Sequence, residues 1–372
     1  MKVVTNVVKT SPGGGVEMNV FQVSRELARR QHEVDLMYVE AGPLLREYEV
    51  FCRHIRHVPS VDYGFPLGRR GKAKQALEQI PAVLDTVRSR PDVIYANRVF
   101  SAGWAVPAAT ICHAPIVSHL HGHTDVGPEV INWLNRKIGR FVIISEFVAQ
   151  QWINSGLDPA KIAIVYNGID PAEYPVGRVV ERLASREALG LPETAYVVTY
   201  FGRVDAEKGI EVLLSAWASF GLDRDEGHLL VVGSSMPNSA NYAAQLHAMA
   251  SSNVSFIAAQ RDVVPYLHAA DVVVIPSTWD EPFGRVVIEA LSTGRPVLAS
   301  RVGAIPEILT GELESFLFDR GDDVELCELL ERFRGWEKRD PDLGARCRER
   351  VLQEFTLDKA VDGIEAAFQA LV

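Results

Sequence analysis

Apolar residues along this chain alternate between two spacings. Short β-branched runs at residues 3–8, 34–39, 93–96, 116–120, 141–144 and 162–165 read as strands. Between the first two, Val16, Val20, Val23 and Leu27 recur at steps of four, three and four, one face of a helix. Ala73, Leu77, Ile80, Leu84 and Val87 repeat that pattern, with Pro81 arguing against a straight helix. A second alternation begins near Tyr196, with strands expected at 196–201, 229–232, 254–257, 272–275 and 296–299. Strands separated by helices predict parallel sheets in an α/β protein. Between the halves, Pro171, Pro175, Gly177, Gly190 and Pro192 interrupt any regular spacing. The chain thus reads as two doubly wound Rossmann-like domains, 1–170 and 193–355, joined by a linker at 171–192. Their strand ends are expected to face each other across a cleft, where such sheets bind ligands. The last segment places Val361, Ile364, Ala367, Phe368 and Leu371 on one side of a capped helix.

Length supports two domains, since 372 residues exceed one ordinary core. No apolar run reaches the roughly 18 residues of a membrane helix, and the most apolar stretch, 102–112, contains Pro107. The start, Met1-Lys2-Val3-Val4, lacks a signal-peptide pattern. Cys52, Cys112, Cys327 and Cys347 are scattered, which argues against a disulfide framework or zinc site and fits a reducing cytoplasm. A formal net charge of -10 disfavours nucleic acid and anionic lipid as partners. One basic cluster, Arg69, Arg70, Lys72 and Lys74, reads as a solvated loop and helix start.

Candidate chemistry collects where strands end. Pro12-Gly13-Gly14-Gly15 follows the first strand and opens a helix whose free N–H groups and partial positive charge suit phosphate, or simply make a tight turn. Arg203 and Lys208, in Gly202-Arg203-Val204-Asp205-Ala206-Glu207-Lys208-Gly209, leave the first strand of the second half. They can reach one diphosphate, or bridge to Asp205 and Glu207 on the surface. Thr278-Trp279-Asp280-Glu281-Pro282-Phe283-Gly284-Arg285-Val286-Val287-Ile288-Glu289-Ala290 follows strand 272–275. A helix is expected from Phe283 or Gly284, with Val286, Val287, Ala290 and Leu291 inward and Glu289 facing away from its domain's core, toward solvent or toward the cleft. Glu281 sits where a helix dipole favours an acid, as a ligand-binding group or as a helix cap alone. In His119-Leu120-His121-Gly122-His123, a histidine at a strand's end can hydrogen-bond a sugar hydroxyl or be structural, and no third ligand supports a metal. Asp223-Arg224-Asp225 reads as surface and Asp340-Pro341-Asp342 as a turn.

Glu281, seven residues, then Glu289, within Glu-Pro-Phe-Gly-Arg-Val-Val-Ile-Glu-Ala, resembles the EX7E motif of retaining glycosyltransferases of the GT-B fold, above all glycosyltransferase family 4. Gly202-Arg203 with Lys208-Gly209, Ala270-Asp271-Val272 through Pro276-Ser277, Pro296-Val297 with Gly303 and Pro306-Glu307, and Tyr166-Asn167-Gly168-Ile169-Asp170 also resemble that family. The resemblance implies that Glu281 binds donor-sugar hydroxyls, the amides of Phe283 and Gly284 touch sugar or phosphate, and Glu289 holds the ribose. It implies that Arg203 and Lys208 neutralise the diphosphate, His121 lies near the reacting sugar, and Gly14 and Gly15 close over the phosphates. Helix 356–372 is implied to pack back on the first domain. The implied reaction is metal-independent, front-face hexosyl transfer from a nucleoside-diphosphate sugar to a hydroxyl acceptor. The motifs fix neither the base, for which uridine is a slight favourite over guanosine, nor the acceptor, for which the acidic charge balance points to a small metabolite or glycan rather than a lipid. No cofactor is implied. Arg203→Ala and Lys208→Ala are each expected to lower turnover by orders of magnitude. Another GT-B activity on sugar nucleotides (an epimerase or synthase) and a decayed nucleotide-sugar-binding protein are the competing readings.

Overall fold

The computed structural model describes residues 1–12, 14–62, 69–235 and 240–372, with the side chains of 69–72 and 240 left aside. Gly13 and the side chains of Arg69, Arg70 and Lys72 therefore lie outside the described residues. The chain forms two compact units, Met1–Gly168 with Leu357–Val372, and Ile169–Thr356.

The first unit is built on β1 (Lys2–Lys9), β2 (Glu33–Glu40), β3 (His54–His57), β4 (Val93–Ala96), β5 (Ile116–Leu120), β6 (Arg140–Ile143) and β7 (Ile162–Ile164). They pair in the order β3-β2-β1-β4-β5-β6-β7, every pair parallel. Strand order reverses between β1 and β4, which makes the carboxyl ends of these two strands the switch point of the sheet. The core joins Val3, Val34, Val93 and Val117 of the strands to Val23 and Leu27 of the helix Gly15–Arg29. The helix Leu357–Gln369 closes the same core with Val361, Ile364, Ala367 and Phe368. Phe368 meets Tyr95 edge-on, ring centroids 5.3 Å apart, a burial worth about 2 kcal/mol or more. At the rim Arg30 bonds Asp362 and Glu365, each at 2.6 Å.

One helix is turned about its axis relative to the sequence pattern. In Arg69–Ser89, Leu77 is 66% exposed, Ile80 45% and Leu84 47%, whereas Gln79, Ala82 and Thr86 are buried. This helix packs against the helix Ala102–Cys112, and the side it buries carries one small apolar residue and two polar ones.

The second unit contains β8 (Tyr196–Phe201), β9 (Gly227–Val232), β10 (Val254–Ile257), β11 (Val272–Ile275), β12 (Val297–Ser300) and β13 (Leu317–Phe318). The order is β10-β9-β8-β11-β12-β13, again wholly parallel, with the switch point between β8 and β11. Burial is complete in β8, β9, β11, β12 and β13, as a parallel sheet covered on both faces requires, and partial in the edge strand β10.

Residues 171–192, read above as a linker, belong to this unit and include the helix Val179–Ala188. Arg186, wholly buried, donates to the carbonyls of Ala269, Glu193 and Ala195 and to Asp271. Arg348 donates to the carbonyls of Tyr174 and Pro171 at 2.9 and 3.3 Å. Arg295 donates to the Gly177 carbonyl at 3.4 Å. Prolines make the segment irregular, and Arg348 and Arg295 supply its carbonyls with partners that regular structure would give, while Arg186 ties its helix to the neighbouring backbone.

Candidate active site

The carboxyl ends of β8 and β11 carry the two charged groups that the sequence singled out. Lys208 follows β8 in a short helical turn, Ala206–Lys208, and Glu281 lies in the loop after β11. Two glycines bring them together. At Gly209, φ is 61° and a Cβ would stand 2.1 Å from the carbonyl oxygen of Pro276. At Gly303, φ is 53° and a Cβ would stand 2.1 Å from that of Glu281. Only glycine permits both the conformation and the approach. Thr278 N then donates to Glu207 O at 2.9 Å, and Ala304 N to Glu281 O at 2.8 Å, which fixes the loops in register.

In that frame Lys208 Nζ bonds Glu281 Oε1 at 2.5 Å. Ser277 Oγ donates to the same oxygen, and the Lys208 ammonium lies 5.5 Å from the centre of the Trp279 ring. Glu281 Oε2 accepts from no described residue. Both charged side chains are largely buried, so their interaction is weakly screened. Arg203 stands apart: it is half-exposed and pairs with Asp205 at 3.1 Å and Glu207 at 3.4 Å, the surface alternative weighed above.

The helix predicted from Phe283 or Gly284 runs Arg285–Ser292, with Gly284 at its amino-terminal cap in a left-handed conformation, φ 103°. The Phe283 ring is buried against Phe355, 5.8 Å between centroids, so the ring itself is part of the core. Glu289 is buried as well, and does not face bulk solvent. Its Oε1 accepts from Arg285 Nε at 2.7 Å and from the Tyr174 hydroxyl at 3.1 Å. Ser277, Tyr174 and Arg285 did not emerge as site residues from the sequence. The four-residue step from Arg285 to Glu289 was the one available signal.

In the first unit, Gly14 caps the helix Gly15–Arg29, but a Cβ there would stand 2.1 Å from Glu17 Oε2. The helix start offered to phosphate is thus faced by a carboxylate, itself 3.3 Å from Arg98. At the end of β5, His119 Nδ1 shares a 2.5 Å hydrogen bond with the Tyr95 hydroxyl, and the His121 ring lies over His119 at 4.1 Å. Burial, with the charge of Arg98, lowers the His121 pKa to about 3, so at neutral pH the ring is a neutral hydrogen-bonding group. Unfolded, the same ring titrates near 6.5 and takes up a proton that the folded ring refuses. Stability is therefore full above that value and falls as pH drops below it, by roughly 2 kcal/mol at pH 5. His121→Gln is expected to flatten the decline in Tm between pH 7 and pH 5, and parallel melting curves would contradict the shift. The Asp223-Arg224-Asp225 stretch is a turn, in which Asp223 Oδ1 accepts from the amides of Asp225 and Glu226 at 2.9 and 3.0 Å.

Comparison with known proteins identifies the family. Residues 181–350 match the family model described as Glycosyl transferases group 1, and residues 13–173 that of Glycosyltransferase Family 4. A D-inositol 3-phosphate glycosyltransferase of Stackebrandtia nassauensis is 26% identical over 96% of this chain and 87% of its own length. One from Mycolicibacterium vanbaalenii is 34% identical over 49% of this chain and 43% of its own. Among solved structures, HepE of Anabaena in complex with UDP and glucose is similar at a TM-score of 0.84 and 23% identity, with full coverage of both chains. Sucrose-phosphate synthase of Thermosynechococcus elongatus follows at 0.77 and 22%, covering 100% of this chain and 99% of that one. At these identities the structures speak to the fold, which is GT-B. Matched in each of its two sheet-bearing units by these two models, the chain belongs to glycosyltransferase family 4.

Proposed function

We propose that the chain transfers a hexosyl group from a nucleoside-diphosphate sugar, with retained configuration and without a metal ion, to a hydroxyl of a small metabolite or glycan. The observation that carries this reading is the Lys208–Glu281 pair at the switch point between β8 and β11, with Glu289 on the helix that follows. Lys208 is placed to neutralise a diphosphate, and Arg203, on the same loop, adds a second cation. As the glycosyl–phosphate bond breaks, the electron pair passes to the phosphate oxygen, and fixed positive charge there stabilises the developing anion. The acceptor hydroxyl attacks from the leaving-group side and its proton passes to the departing phosphate. Glu281 Oε2 accepts from sugar hydroxyls and Glu289 from the ribose. The neutral ring of His121 contributes as a hydrogen-bonding partner of the sugar. UDP-sugar is the favoured donor, in keeping with the UDP and glucose of the Anabaena HepE structure.

The test is incubation of the purified protein with UDP-, GDP- and ADP-glucose, alone and with a panel of sugars, inositol and inositol phosphate, in EDTA, followed by NMR of the anomeric protons. An α-linked product from an α-linked donor, with slow hydrolysis when no acceptor is present, is expected. Epimerised donor, an inverted product, or transfer that EDTA abolishes and magnesium restores would each contradict the proposal.

A further inference from the structure

Glu289 is held by two groups, Arg285 and Tyr174, to which the resemblance assigned no role. Arg285 lies one turn before it on the same helix, so its guanidinium falls on the same face. The Tyr174 hydroxyl arrives from the strap at the start of the second unit. That strap is fixed to the far end of the same helix, for the Tyr174 carbonyl accepts from Ser292 Oγ at 3.0 Å and from Arg348 Nη1 at 2.9 Å. Both donors converge on one oxygen, Oε1. Oε2 accepts from no described residue. A carboxylate can otherwise turn about its last torsion and present either oxygen. Two donors on Oε1 fix its plane and leave Oε2, with two lone pairs, as a directed acceptor for two hydroxyl donors. Burial of the Tyr174 hydroxyl, with the neighbouring Glu289 charge, raises its pKa, so the hydroxyl stays a donor.

We propose that Tyr174 and Arg285 are positioning residues that aim Glu289 Oε2 at the vicinal 2′,3′-diol of the donor's ribose and thereby make the site selective for ribonucleotides. This inference rests on the transferase reading of the site. It differs from a structural role for the two residues, because a structural role does not distinguish a ribose from its dideoxy form.

The experiment is calorimetric titration of UDP, GDP and ADP, each beside its 2′,3′-dideoxy counterpart, against the unaltered protein, Tyr174→Phe, Arg285→Met and Arg285→Lys. For the nucleotide that binds best, the unaltered protein is expected to prefer the ribose form about tenfold or more, the worth of charge-assisted hydrogen bonds. Tyr174→Phe and Arg285→Met are expected to bring that preference to about twofold or less, through weaker binding of the ribose form, with dideoxy affinity nearly unchanged. Arg285→Lys is expected to recover part of it. A preference kept in both Tyr174→Phe and Arg285→Met, or absent from the unaltered protein, overturns the inference. Arg285→Met leaves a buried carboxylate without its cation; if it does not fold, Tyr174→Phe, which removes one hydroxyl, decides the matter alone. Failure of all three nucleotides to bind the unaltered protein overturns the transferase reading itself, and is distinct from binding without ribose preference.

Discussion

Lys208→Met is expected to lower kcat for sugar transfer about 10²- to 10³-fold, the loss that follows removal of one preorganised donor to a developing anion. The ammonium lies on Glu281 at 2.5 Å, beside the Trp279 ring and largely out of water. Its charge is in place before any substrate arrives, so no reorganisation is needed as the diphosphate departs. An interaction made mainly in the transition state lowers kcat and kcat/KM together, and that is the expected signature. Arg203→Ala probes the second cation. Arg203 is half-exposed and shared between Asp205 and Glu207, so its removal is expected to leave Tm nearly unchanged. A fall in its kcat of about tenfold or more would mark it as a phosphate ligand. Full activity in both variants would remove the phosphate-neutralising role from this loop and with it the mechanism.

Much of this was legible along the chain because a doubly wound sheet writes itself as buried β-branched runs. β4, β5, β8, β10 and β11 fall on the residues that the pattern marked. β3 escaped because His54, Arg56 and His57 leave Ile55 as its one apolar residue, at the edge of the sheet. β13 escaped because two residues hold no period. The helix Arg69–Ser89 misled for a different reason. Periodicity shows that a helix has two faces, but which of them is buried is decided by its neighbours, here the helix Ala102–Cys112. At the site, position after a strand marked Lys208 and Glu281 as candidates, and the pairing of β8 with β11 is what brings the two side chains together. Helical phase placed Glu289 away from the core and could not show that Tyr174, 115 residues earlier, covers it. Contacts of that range leave no mark in local spacing.

Glu281→Gln combined with Lys208→Met offers the sharper test, because stability and activity are expected to diverge in the double variant. Glu281 Oε1 accepts from Lys208 and Ser277, and the pair is nearly buried. Breaking a buried pair from one side leaves an uncompensated charge, at a cost of about 3 kcal/mol if burial were complete and less here, where some water reaches both groups. Glu281→Gln and Lys208→Met should therefore each lower Tm, while the double variant, which removes both charges, should recover part of the loss. Activity should not recover. Glutamine keeps the shape and one acceptor oxygen but loses the charge that binds sugar hydroxyls strongly, so kcat/KM is expected to fall about 10²-fold in Glu281→Gln and further in the double variant. Melting curves and steady-state kinetics on the four proteins complete the cycle. Recovery of both quantities in the double variant would show that the pair serves the fold alone, and Glu281 would then have to be withdrawn from the donor site.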